Sequence, residues 1–547
     1  MIKRFTYSFL IILVCTSVFN HYVYSQLLHY QSTCDTIERQ FYFNSPHSVI
    51  AKPYTIQDVK LIKNYSNLDL PVPNGFVFAN KDTANKRYFS AIPIINAFPA
   101  KEFGMSGSEG EYPLGAELQF LRDKNSLDSR RDNLFACDFQ YSYNQAIFPD
   151  YIKSYIDKTH VVPGQGHADI INGVCLYQNL SFYAAKSVGK YFDFEGGFGK
   201  HFFGDGYRSL FLSDASYSYP YFQITTTIWK IKYTNLYTNF KDSTNGNWFK
   251  AKNKYGAFHF LSWDATKRLN FNFFEAIIWA GRSYDVNYLN PVIFYRPVEF
   301  SLGDATNPNP DNALMGFGTH YTIGKSQVLY GQLLLNDFDL SNVKAGFSHM
   351  LHPHDTTIQW GSWTNKQAFQ LGYKYFNVAG IKNLNFQTEY NYVRPYVYSH
   401  RDVIANYGNF NEPLADPLGA NFWESVTFLK YIHKQWYFEI EYMHYLTGLD
   451  SNGSHFGQDI YRSTFDAYLP DEHNVVVKEY GNKVGQGITT TVNYISPKVS
   501  YLIYPRMNLR IELGYIYRTQ KSVIETKNTN YIFFGIKTSL DNRHYDL

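Results

Sequence analysis

The densest group of side chains able to do chemistry is Gly196-Gly197-Phe198-Gly199-Lys200-His201-Phe202-Phe203-Gly204-Asp205-Gly206-Tyr207-Arg208-Ser209-Leu210-Phe211-Leu212-Ser213-Asp214. Gly199-Lys200 hints at a phosphate loop, but the spacing of that loop is absent and the residues before it read as a strand. The pattern predicts instead a strand bending into a glycine-rich turn that gathers Lys200, His201, Asp205, Tyr207, Arg208 and Asp214. Glycine permits the sharp backbone. Mixed charges at such a bend either pair with one another inside the wall or meet a polar ligand.

Two further clusters are Pro291-Val292-Ile293-Phe294-Tyr295-Arg296-Pro297-Val298-Glu299-Phe300-Ser301-Leu302-Gly303-Asp304, and Arg394-Pro395-Tyr396-Val397-Tyr398-Ser399-His400 with Pro413–Phe422. Prolines within or beside strands mark ends and kinks, which places Arg296 and Arg394 at strand ends. There they either neutralise Glu299 and Asp416 or hold an acidic sugar through bidentate contacts. Aromatic side chains beside polar ones suit a sugar surface, although this chain is aromatic throughout. His349, His352, His354 and Asp355 form the one histidine cluster, on a loop that would have to converge to hold a metal. No nucleophile elbow, zinc-protease helix or paired catalytic carboxylates stand out. The reading is therefore non-enzymatic, with no cofactor and no metal.

The elements that must position these residues are strands. In Asn383–Tyr392, Leu384, Phe386, Thr388, Tyr390 and Tyr392 share one face, with Asn383, Asn385, Gln387, Glu389 and Asn391 on the other. Trp436, Phe438, Ile440 and Tyr442 oppose Gln435, Tyr437, Glu439 and Glu441. Leu509, Ile511, Leu513, Tyr515 and Tyr517 oppose Arg510, Glu512, Gly514 and Arg518. Successive strand side chains point to opposite faces, and charge at every second position is intolerable on a lipid side. The polar face must line a lumen. Aromatics make up 19% of the chain, with 49 Tyr and 45 Phe, while mean hydropathy is only −0.34. That combination suits a barrel with an apolar outside and a wet inside.

The start of the chain predicts export. Lys3 and Arg4 precede the apolar run that opens at Phe9, and Val23-Tyr24-Ser25 ends in a small residue, so residues 1–25 read as a signal peptide cleaved before Gln26. Val14 is too bulky for a lipoprotein site at Cys15. No later stretch is long and apolar enough to be a spanning helix. Net charge +3 gives no reason to expect nucleic acid. Cys34, Cys137 and Cys175 remain after cleavage and form at most one bridge.

Short turns at Tyr504–Asn508 and Ile323–Gln327 contrast with long polar stretches at Asp304–Asn312, His349–Lys366, His400–Asn421 and Asp450–Gly485. Alternating short and long connections distinguish periplasmic turns from outer loops, and ~24 residues per strand gives roughly 18 antiparallel strands. The expected layout is a pre-barrel periplasmic segment over 26–110 and a transmembrane β-barrel over 111–547. A short helix near 148–160, with Tyr151, Ile152, Tyr155 and Ile156 on one face, plugs the lumen, sits beneath it or packs on the rim. The segment Tyr531–Leu540 reads as the strand that closes the barrel.

Lys200–Asp214, Phe294–Gly303 followed by Asp311-Asn312-Ala313-Leu314, Arg394–His400, Pro413–Phe422 and Val161-Val162-Pro163-Gly164 occur in an order that resembles the capsule-assembly Wzi family of outer-membrane barrels. More closely, the chain looks like the Bacteroidetes branch with gliding-motility proteins of the RemB type. The resemblance runs from about residue 148 to 430 and implies a monomeric barrel in the cell outer membrane that binds surface polysaccharide. For the gliding branch it implies a part in motility beside other cell-surface proteins. The departure from the capsule proteins lies in length and in the first hundred residues. The rival expectation is a diffusion channel, which an open lumen would favour and a filled one would not.

Overall fold

The computed structural model describes residues 38–39, 41–43, 50–53, 58, 76–80, 85–103, 109–124, 133–242, 251–292, 294–302, 311–337, 340–451, 453–466, 475–538 and 545–547. The expected signal peptide and Cys34 lie outside them. The alternation builds a closed antiparallel barrel of 18 strands. The first of these, β1, runs through Asn85–Ile95 and Phe98–Glu102, interrupted at Asn96 and Ala97, and the short preceding strand Phe76–Asn80 pairs antiparallel with its first half. It is followed by β2 (Glu109–Lys124), β3 (Asn133–Ile147), β4 (Val174–Val188), β5 (Phe192–Gly199) and β6 (Tyr219–Ile228). Next come β7 (Ile231–Asp242), β8 (Lys252–Asp264), β9 (Leu269–Ala280), β10 (Asn312–Ile323), β11 (Gln327–Asp337) and β12 (Lys366–Phe376). The wall is completed by β13 (Leu384–Val393), β14 (Phe422–His433), β15 (Trp436–Leu449), β16 (Ile488–Tyr504), β17 (Leu509–Ser522) and β18 (Thr526–Lys537).

Closure sets β18 on the second half of β1, with Tyr531 opposite Glu102 and Phe533 opposite Ala100. Thr538 caps this seam. Its backbone N–H donates to Asn96 Oδ1 at 3.0 Å, and its hydroxyl donates to the Pro93 carbonyl at 2.9 Å. The seam leaves no long unpaired edge, which an isolated sheet would expose to other chains.

The predicted faces are the observed ones. Trp436, Phe438, Ile440 and Tyr442 stand exposed on the outer wall, as do Leu513 and Tyr517, whereas Glu389, Asn391, Glu441, Arg510, Glu512 and Arg518 are buried inside. The turns at 323–327 and 504–509 leave one end of the barrel. The connections 148–173, 200–218, 281–311, 338–365, 394–421 and 450–487 all leave the other. The short-turn end is the periplasmic one by this asymmetry. Two short connections, 103–108 and 523–525, break the rule at the outer end.

Among the described residues, three α-helices interrupt the connections: α1 (Asp150–Thr159), α2 (Tyr295–Leu302) and α3 (Leu340–Leu351). The first answers the prediction for 148–160, and it lies within the outer half of the lumen rather than beneath the barrel. Ile152 and Ile156 are buried, Tyr151 donates to the Tyr545 carbonyl at 2.8 Å, and the Arg518 guanidinium lies 4.9 Å from the Tyr151 ring.

The expected pre-barrel segment over 26–110 requires correction. Asn85–Glu102 belongs to the wall, so the barrel begins before residue 111. Its Pro93 and Pro99, and the break at Asn96, blur the alternation that betrays other strands. The described residues between 38 and 58 sit inside the barrel near its periplasmic end. Ala51 and Lys52 pair with Phe203 and Phe202, Glu38 bridges Lys52 and Lys374 at 2.7 and 2.6 Å, and Asp58 pairs with Lys232.

Candidate functional site

The segment after β5 turns inward instead of forming an outer loop. Gly206 allows this, because a Cβ there would lie 2.4 Å from a Glu389 carboxylate oxygen. That carboxylate accepts the backbone N–H groups of Tyr207 and Arg208 at 2.8 and 3.1 Å. Further along, Leu210 N donates to Gln332 at 2.9 Å, Tyr398 donates to the Leu210 carbonyl at 2.8 Å, and Tyr407 donates to the Phe211 carbonyl at 2.6 Å. Backbone polar groups within a lumen need such partners, because unpaired buried ones are costly.

Each side chain singled out from the 200–214 stretch is thereby placed. Lys200 donates to the carbonyls of Gly164 and Asp214 at 2.6 and 3.1 Å. His201 is buried between the rings of Tyr219 and Tyr221. Asp205 accepts from Tyr42 at 2.7 Å and lies 3.0 Å from His320. Tyr207 donates to Asp546 at 2.9 Å. Arg208, only 1% exposed, donates to Asp546 at 2.8 Å and has its Nε 3.6 Å from Glu424. Asp416 is fully buried in the same network, and burial raises its carboxyl pKa despite the nearby Arg208. Partners from other parts of the chain thus occupy this group, in which His201, Asp205 and Arg208 are buried and Lys200, Tyr207 and Asp214 are half-buried.

The other predicted residues stand apart from it. Arg394 does not reach Asp416. It donates to the carbonyls of Ser362 and Asn482 at 3.2 and 3.5 Å, stapling two outer loops together. Arg296 pairs with Glu299 at 2.8 Å, as anticipated, but on α2 rather than at a strand end, and on the outside of the wall. Its backbone N–H donates to Glu275, an outward-facing residue of β9. The three clusters therefore do not converge on one cavity. His349 stacks on Trp360 at 4.3 Å, while His352 bonds the Ser348 carbonyl, and among the described residues no three His, Cys, Asp or Glu side chains come together as a metal site.

Glu412 is a keystone between loops. It accepts from Gly164 N at 2.7 Å, Tyr217 N at 3.0 Å and the Tyr155 hydroxyl at 3.3 Å. Burial pushes its carboxyl up to about 7, against the lowering effect of these donors and of Lys200.

The outer mouth presents a different chemistry. Trp363 and Phe465 meet edge to face at 5.1 Å. Lys366 lies 5.8 Å from the Trp363 ring and Arg401 lies 5.7 Å from the Phe465 ring. Both rings are half-buried and Arg401 is exposed. Lys366 is buried and held by the Ser399 carbonyl and Asp337, both at 3.1 Å, so the rings offer an apolar face and Arg401 alone a charge-assisted donor to a polar ligand.

No protein-family model matches the sequence, and no curated protein matches it. Solved structures do. One is described as Wzi, an outer membrane protein involved in group 1 capsule assembly in Escherichia coli and a carbohydrate-binding β-barrel. It aligns at 12% identity over 94% of this chain and 99% of that one, with TM-score 0.52. OccAB2 of Acinetobacter baumannii aligns at 11% identity over 82% and 97%, with TM-score 0.42. OprD of Pseudomonas aeruginosa aligns at 9% identity over 82% and 94%, with TM-score 0.42. The closed 18-strand wall, apolar outside and polar within, decides the class. The chain is an outer-membrane β-barrel.

Sequence reasoning on this barrel missed the mouth. Trp363, Arg401 and Phe465 are far apart in sequence, on loops without periodicity, and no local signal marks them. The loop lengths were the available clue, since binding residues concentrate on long loops held by a rigid scaffold.

Proposed function

We propose that this barrel binds surface polysaccharide at its outer mouth, without catalysing a reaction on it, and that it serves capsule or exopolysaccharide attachment. The observation that carries the proposal is the filled interior. Among the described residues, the lumen holds 38–39, 41–43, 50–53 and 58, α1, the 200–218 segment, part of the 394–421 connection and residues 545–547. A lumen so occupied supports a rigid platform for loops and not a path for solutes. Trp363, Phe465 and Arg401 supply the contact surface, with Arg394 holding the loops that carry it. The sequence resemblance to capsule-assembly barrels supports a carbohydrate ligand, and its gliding-motility branch supports a role in handling polysaccharide at the surface of a moving cell.

The test is binding of purified, folded protein to polysaccharide extracted from its own cells, together with deletion of the gene. Binding, and loss of retained polysaccharide or of movement on deletion, supports the reading. Absent binding with unchanged polysaccharide and unchanged movement rejects it. Large steady conductance in planar bilayers would instead favour the channel.

A further inference from the structure

The wall carries an anomaly on its outer side. In β8 and β9, the side chains alternating with the lumen-facing Phe258, Phe260, Phe274 and Ala276 point outward, and they include His259 and Glu275, paired across the strands. Phe273 and Ile277 flank Glu275 on that face, so this histidine–carboxylate pair sits within the apolar band. A charge on the lipid face near mid-depth costs about 2–4 kcal/mol. Both residues are nevertheless buried, because the connection between β9 and β10 folds outward and down over them.

The cover is specific. Tyr288 and Tyr295 form a core with outward-facing Ala257, Ile277, Trp279 and Ala313. The Tyr295 hydroxyl lies 2.8 Å from His259 Nε2, and the Tyr295 and Arg296 N–H groups donate to Glu275 at 2.6 and 3.2 Å. Outward Tyr233 and Tyr237 of β7 donate to the carbonyls of Pro291 and Leu289 at 2.7 and 3.0 Å. Phe294 packs 5.9 Å from Phe273, which in turn lies 5.4 Å from lipid-facing Phe317.

We propose that this strap, residues 281–292 with 294–302, is inserted in the membrane, with its tip among the lipid acyl chains. The tip is apolar where it faces away from the barrel: Val286 is 80% exposed, Val292 82% and Phe294 60%. Its charges are gathered on the stems and paired, Arg282 with Asp285 and Asp311 at 3.0 and 2.9 Å and Arg296 with Glu299. Irregular backbone is tolerated at membrane depth only where its polar groups are satisfied by protein. The tyrosine hydroxyls meet that condition for the tip carbonyls, and Asn290 Oδ1 meets it for the Val292 N–H at 3.0 Å. The exposed tip continues the lipid-facing band of Phe273 and Phe317, which names acyl chains as its occupant.

The neighbouring α3 shows the same inversion. Leu340, Phe347, Met350 and Leu351 face outward, while the polar side, with Asn342, Ser348 and His349, is turned toward the protein. A helix whose apolar face points away from its own protein lies on a membrane surface. Lys344 at the margin of the apolar face can snorkel to the headgroups.

The experiment places a genetically encoded nitroxide residue at position 292 in the full chain, folded in phospholipid bilayers, and measures collisions with oxygen and with a nickel chelate. Position 523, in the exposed outer turn, is the aqueous control. The expected result is an oxygen-to-nickel ratio several-fold higher at 292 than at 523. Equal ratios would overturn the proposal by placing the tip in water. Low collision with both reagents would also overturn it, by showing a protein cover. If the position 292 variant does not fold, position 286 provides the same readout.

Discussion

Arg208 and Asp546 meet at 2.8 Å in the middle of the barrel, although 338 residues separate them in sequence. Glu424 approaches the same guanidinium, and Glu389 accepts the Arg208 backbone N–H. One cation thus offsets several carboxylates in a space closed to water. Arg208→Met is expected to destabilise the barrel by about 3–5 kcal/mol, because it strands buried carboxylates without their partner. Urea unfolding followed by the heat-modifiable band shift measures this. Unchanged stability would show that the network is not structural.

Mutations at the mouth should separate ligand contacts from structural pairs. Trp363→Ala together with Arg401→Ala should weaken polysaccharide binding by roughly 10-fold, from ~1–2 kcal/mol of lost ring and cation contacts. Arg296→Ala, on the outer wall, should leave binding unchanged. Titration with purified polysaccharide checks both, and the reverse pattern would relocate the binding surface.

Glu412 predicts a pH dependence. Its folded pKa, about 7, lies above the ordinary value of 4.5. Between these values the folded state binds more protons than the unfolded one, so this contribution is complete below about pH 4.5 and is lost as pH rises through about 7. The barrel should therefore unfold at lower urea at pH 8 than at pH 6, and Glu412→Gln should reduce that difference. An identical pH difference in the variant would sink the assignment.

The ion pairs of Glu38 hold the periplasmic filling. Its carboxyl is drawn down to about 2 by Lys374 and Lys52, which overcome the opposing effect of burial. The intact protein should show little conductance in planar bilayers. Lys374→Met, which leaves Lys52 as the described ion-pair partner of Glu38, should raise the frequency of open events. A wild-type barrel that conducts steadily would contradict a filled lumen.

Much of the wall was legible because lipid and water impose a two-residue period, and Trp436–Tyr442 or Leu509–Arg518 display it without interruption. The described residues between 38 and 58, and residues 200–218, were harder to place, because chain that fills a lumen contacts wall on several sides and keeps no period. The glycines at 204 and 206 signalled a bend, but not that it would turn inward onto Gln332 and Glu389. Pairing of Arg296 with Glu299 was one of two roles the sequence left open, and nothing local indicated that α2 would lie outside the barrel. That depended on His259 and Glu275, outward polar residues whose parity is evident only once the register of β8 and β9 is known.

The interior filling couples the wall to its contents. Ala51 pairs with Phe203, Tyr42 reaches Asp205, and Asp546 reaches Arg208, so distant parts of the polypeptide share one enclosed space. Closing the wall and docking its contents are therefore linked: losing a contact such as Arg208–Asp546 loosens the filling and the strands that carry its partners together.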